Sequence, residues 1–195
     1  MNILSDKILA GALIGIFANG VKLTFNYLGY FLGWTDVVFW QIVASRFLAK
    51  EDLFTPYAYL VGGIADIVMT ASIGIIFLYA LEFFGKGNLW LRGSGMGLLL
   101  WVTLFGTLLG QSVENKIPQE PSGLLVTLGA HFIYGIAVAF FTGLYYKIME
   151  KQGETDQLAH SFVAQPARKV QVFRIKKPDP ESAEQTKKFI KPRKI

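Results

Sequence analysis

Gly93 to Val113 reads GSGMGLLLWVTLFGTLLGQSV, and Gly123 to Tyr146 reads GLLVTLGAHFIYGIAVAFFTGLYY; neither stretch contains an Asp, Glu, Lys or Arg. A helix of about 20 mainly apolar residues crosses the roughly 30 Å hydrocarbon layer of a bilayer, so both stretches have the length and character of membrane spans. Toward the N-terminus two more stretches qualify: Ile8 to Leu32, interrupted by Lys22, and Tyr57 to Leu81, interrupted by Asp66. The pattern predicts an all-α protein in which residues 1–148 form an integral membrane four-helix bundle and residues 149–195 a loosely ordered, basic cytoplasmic tail.

Composition points the same way. Of 195 residues 52% are hydrophobic and 17% charged, below the roughly 25% charged residues of soluble domains. Residues 1–147 carry 8 Lys and Arg against 8 Asp and Glu, whereas residues 148–195 carry 11 against 6. The tail closes on Lys187, Lys188, Lys191, Arg193 and Lys194, a cluster suited to anionic lipid headgroups or a cytoplasmic protein partner; the alternative is a simply solvated tail. Lipid is the nearest anion, so nucleic acid is not expected as a partner. The chain has no cysteine, which excludes disulfides, thiolate metal sites and a cysteine nucleophile. Its apolar N-terminal region continues well past Ala18 without a small-residue cleavage site, so it reads as an uncleaved first span.

Between the first two spans, the apolar part of Asp36 to Lys50 (residues 37–49) is too short to cross upright and reads as an interfacial or re-entrant helix. Trp34 and Trp40 suit the headgroup boundary. Lys7, Lys86, Arg92, Lys147 and Lys151 fall on the side of the termini, against Arg46, Lys50 and Lys116 opposite, so both termini are expected to be cytoplasmic. In the tail, Gly153 offers the fourth helix a place to stop, Val170 to Ile175 alternates in a strand-like way, and Asp179-Pro180 has the form of a helix start.

Small residues four apart predict close helix contacts: Gly11 with Gly15, Gly93 with Gly97, Gly106 with Gly110, and Gly135, Ala139 and Gly143 in series. A faint duplication sets Gly11 and Gly15 beside Gly93 and Gly97, and Ala65-Asp66 beside Ala130-His131.

The polar residues inside the spans form a pattern of their own. Asn19, Lys22 and Asn26 share one helical face. Lys22 and Asp66 lie at matching depths, about 15 and 13 Å from the outer ends of their helices, and His131 joins the layer at about 12 Å. Thr70 continues the Asp66 face, and Thr103, Thr107, Gln111 and Glu114 form a polar stripe on the third helix. Two readings stay open. In one, Lys22 and Asp66 form a buried ion pair that fixes helix register, with His131 a satisfied core donor. In the other, the helices enclose a hydrated outer vestibule serving a small proton-linked or small-solute transporter.

Enzyme chemistry is not expected. His131 and His160 lie too far apart to share a metal, Gly93 to Gly97 lacks the Lys-Ser/Thr of a phosphate loop, and Ser94 and Ser112 have no evident base, so no catalytic residue, metal or cofactor is assigned. The segments Gly97-Leu-Leu-Leu-Trp101, His131-Phe-Ile-Tyr134-Gly135 and Gly143-Leu-Tyr-Tyr146 resemble small four-helix membrane proteins of Gram-positive bacteria, the YqhR-like group. That resemblance covers the membrane body and implies a protein of the bacterial cytoplasmic membrane. The leading expectation is a structural or accessory membrane protein, with self-association open to it through its glycine-rich faces.

Overall fold

The computed structural model describes residues 6–109 and 120–163, and among these it is helical without a strand. In chain order come α1 (Lys7–Phe31), α2 (Phe39–Ala44), a 3-10 turn (Lys50–Asp52), α3 (Pro56–Phe84), α4 (Leu89–Thr103), a π-helical continuation (Leu104–Leu109) and α5 (Pro121–Val163). Four segments are long and apolar enough to cross a membrane: Lys7–Phe31, Pro56–Phe84, Leu89–Gly106 and Pro121–Gly153. The packing described below belongs to the first of two compact units, Met1–Thr155 and Asp156–Ile195.

Helix ends follow from local chemistry. Asp6 caps α1 by accepting from the backbone N–H groups of Ile8 and Leu9 at 2.9 and 3.2 Å. Pro56 opens α3 at a position where its missing N–H costs nothing. The far end of α3 extends past Leu81 to Phe84, where Gly85 turns the chain with φ +87°. Arg92 of α4 donates to the Phe84 carbonyl at 2.9 Å and also to that of Gly85, closing carbonyls that the helix end leaves open.

One sequence expectation changes. Helix α5 does not stop at Gly153 but runs to Val163: one interior glycine costs only about 1 kcal/mol, and Lys151, Gln152 and Glu154 beside it are good helix formers. The segment 37–49, expected as an interfacial or re-entrant helix, packs against α3. Its helix spans six residues, of which Phe39, Gln41, Ile42 and Ala44 are buried. The strand-like run 170–175, the helix start at Asp179 and the cluster Lys187, Lys188, Lys191, Arg193 and Lys194 lie outside the described residues.

Glycines bring two helix pairs close. A Cβ on Gly15 of α1 would fall 2.0 Å from the Thr70 carbonyl oxygen of α3, and one on Gly97 of α4 would fall 2.2 Å from the His131 carbonyl oxygen of α5. Both approaches therefore require the absence of a side chain. Among the described residues a Cβ on Gly106 would meet only Val102, and Gly110 is outside the described residues. The exterior is inverted relative to a water-soluble fold, and a polar layer is buried within a mainly apolar core. Lys22, Asp66, Asn19, Thr70 and His131 are buried, while Phe17, Leu91, Leu125 and Phe83 are exposed.

Candidate functional site

The Asp66 carboxylate is the centre of the buried polar layer. Lys22 Nζ donates to its Oδ1 at 2.6 Å, Asn19 Nδ2 to its Oδ2 at 2.9 Å, and the indole Nε1 of Trp40 to the same Oδ2 at 3.3 Å. Lys22 and Asp66 are 2% and 4% exposed, so neither charge has water to fall back on and each requires the other. The spacing of Asn19 and Lys22 on α1 delivers both donors to one carboxylate on α3. The ammonium of Lys22 also lies 3.9 Å from the centre of the Phe39 ring and 5.8 Å from that of Tyr134, whose negative ring faces add to its stabilisation.

The short helix α2 is tied into this layer through its backbone. Asn26 Oδ1 accepts the Phe39 N–H at 2.9 Å, Gln41 Oε1 accepts the Val38 N–H at 3.0 Å, and Gln41 Nε2 donates to the Leu53 carbonyl at 3.3 Å. A six-residue helix leaves most of its end groups unbonded, so these side chains are what make its burial affordable. Asn19 Oδ1 and Asn26 Nδ2 are buried without a hydrogen-bond partner among the described residues.

His131 stands beside the ion pair without bonding to it. Its Nδ1 faces the Thr127 carbonyl at 2.8 Å, and its ring lies 5.5 Å from both Phe39 and Phe105. The Phe39 ring thus neighbours both the imidazole and the ammonium. Thr70 donates to the Asp66 carbonyl at 2.7 Å, and its own carbonyl accepts from Tyr134 Oη at 3.1 Å, which links α3 to α5. Of the expected stripe Thr103, Thr107, Gln111 and Glu114, only Thr103 has a described side chain. Thr103 is exposed and donates to the Leu99 carbonyl at 2.9 Å, while Gln111 and Glu114 lie outside the described residues. From α4 it is Trp101 that reaches inward, donating to Thr127 Oγ1 at 3.1 Å.

A cavity of about 640 Å³ lies between α3 and α4. Lys22, Asp66, Thr70, His131 and Tyr134 line it, but most of its wall is apolar, including Val68, Met69, Leu100 and Leu104. The wall of this cavity is thus largely apolar, with its polar groups grouped together. Among the described residues no cluster of three or more His, Cys, Asp or Glu side chains is arranged to hold a metal.

Sequence reasoning missed Trp40 as an Asp66 donor, and with it Phe39, Gln41 and Tyr134. One available signal was Gly62-Gly63, a turn before Asp66: a Cβ at Gly62 would lie 1.9 Å from the Trp40 carbonyl oxygen, so that pair marks where α2 presses in. Comparison with known proteins returns no matching family model, no matching curated protein and no matching solved structure.

Proposed function

We propose that the chain is a multi-pass protein of the bacterial cytoplasmic membrane, with both termini cytoplasmic, and that its membrane body is a compact four-helix bundle with a structural or accessory role. The apolar exterior supports the membrane reading, because side chains such as Phe31, Leu91 and Phe83, 78%, 72% and 84% exposed, have a favourable neighbour only in hydrocarbon. The YqhR-like resemblance agrees with it. In this reading the basic tail, with Lys187, Lys188, Lys191, Arg193 and Lys194, contacts anionic lipid or a cytoplasmic protein.

The observation that carries the structural role is the Asp66 carboxylate, engaged at once by Lys22 and Asn19 of α1 and Trp40 of α2. A carboxylate occupied in this way acts as a lock between segments. Its charge is exchangeable for another polar contact: Lys22→Met combined with Asp66→Asn removes both charges and keeps an acceptor for Asn19 and Trp40. The expected result is a double variant that remains in the membrane, melts close to the wild type in detergent and shows unchanged proton flux in liposomes.

A second reading, a small proton-linked or small-solute transporter, is favoured by the placement of Lys22, Asp66 and His131 on one cavity wall. Its signature is a folded double variant that has lost a flux measurable in the wild type.

A further inference from the structure

The cavity between α3 and α4 has one lip formed by Ile64, Val68 and Met69, all exposed, and an opposite wall from Leu100 and Leu104. Its volume of about 640 Å³ falls within the range of about 300–1,000 Å³ found for small-molecule sites. Its polar groups are few and specific. Lys22 and Asp66 cancel each other's charge, and the Asp66 oxygens are already engaged by donors.

His131 differs from them. It is 3% exposed, lines the cavity, and bonds through Nδ1 to the Thr127 carbonyl. A carbonyl only accepts, so in the neutral imidazole Nδ1 carries the proton and Nε2 is left as an acceptor. Among the described residues that Nε2 has no hydrogen-bond partner.

We infer that this cavity binds a membrane-soluble, single-chain amphiphile with a small uncharged hydroxyl head, the hydroxyl donating to His131 Nε2 and the chain lying between Met69 and Leu104. The inference rests on the membrane reading proposed above. A neutral head suits the wall beside His131, where the Lys22–Asp66 pair is already charge-balanced and an added ion would have to be desolvated. Arg46 also lines the cavity and is exposed, so a charged head seated there is the competing arrangement that the test must separate.

The test uses the full chain in liposomes with hexadecanol carrying a mid-chain diazirine, the matching diazirine hydrocarbon without the hydroxyl, and the sulfate ester of the alcohol. After photolysis, the alcohol is expected to label peptides containing Val68, Met69 and Leu100 saturably, exceeding the hydrocarbon by about fivefold, the size of one net hydrogen bond. His131→Phe, which keeps a ring and loses the acceptor, should bring the alcohol down to the hydrocarbon level. Met69→Trp, a change on an exposed wall that leaves the buried layer alone, should remove labelling by both. Equal labelling by alcohol and hydrocarbon, strongest labelling by the sulfate ester, or labelling indifferent to Met69→Trp overturns the inference. An alkaline wash of the same liposomes reads the membrane assignment separately: release of the chain overturns that assignment and this inference together, whereas retention with equal labelling overturns this inference alone.

Discussion

Gly15 of α1 approaches the Thr70 backbone of α3 about as closely as Gly97 of α4 approaches the His131 backbone of α5, with hypothetical Cβ atoms 2.0 and 2.2 Å from a carbonyl oxygen. What fills the two pairs is different. Between α1 and α3 sit a carboxylate and an ammonium, and a third segment, α2, is drawn in to supply Trp40 to the same carboxylate. Next to α4, helix α5 carries His131, which is satisfied at Nδ1 by a carbonyl of its own helix and needs no counter-charge. Glycine contacts thus set the distance between helices, and the ionisable residue decides whether a further element is required. In the duplication suggested by Ala65-Asp66 and Ala130-His131 the contacts agree only in part: Gly15 meets Thr70, four beyond Asp66, while Gly97 meets both His131 and Gly135, four beyond it.

The largest break in this comparison comes from Lys22→Met alone, which leaves the Asp66 charge buried without its partner. A loss of about 3–5 kcal/mol is expected, visible as a collapse of thermal stability in detergent, whereas the Lys22→Met and Asp66→Asn combination recovers most of it. If the single and double variants melt alike, the pair is not what holds α1 to α3.

Next in size, Gly15→Ala and Gly97→Ala should each cost about 1–3 kcal/mol from overpacking, exceeding the roughly 1 kcal/mol of helix propensity that alanine gains. Similar losses in denaturant melts of both variants support a shared packing device. A loss confined to Gly15→Ala would show that only the first pair depends on close approach.

Asn26→Leu removes the acceptor for the Phe39 N–H and should cost about 1–2 kcal/mol. Its mark is local: amide exchange speeds up in residues 38–45 while α4 and α5 stay protected. The smallest effect belongs to the second pair. Trp101→Phe deletes one hydrogen bond to Thr127 and should lower stability by about 1 kcal/mol or less, with the amide exchange of α2 unchanged.

The four apolar helices and the charge pair were legible from sequence for one reason. An isolated Lys or Asp in a long apolar run has few tolerable arrangements, and matched depths on α1 and α3 left Lys22 and Asp66 as natural partners. Trp40 was not legible, because an indole between apolar spans suits a headgroup boundary as well as a buried carboxylate, and only the backbone contact at Gly62 distinguishes the two. Thr103 misled for a related reason: a helical threonine satisfies its hydroxyl on its own preceding turn, as it does here on Leu99, so threonines at fourfold spacing do not define an inward face.

The separation of the two buried charges along the chain has a consequence for biogenesis. Lys22 leaves the ribosome 44 residues ahead of Asp66, and on the membrane reading a lone lysine near the middle of a helix adds about 2.5–3.5 kcal/mol to the cost of insertion. Helix α1 therefore carries an unpaired charge while translation is under way. Its residence in the bilayer becomes secure only when α3 arrives to neutralise it, so a nascent chain truncated before residue 66 should slip back toward water more readily than one truncated after α3.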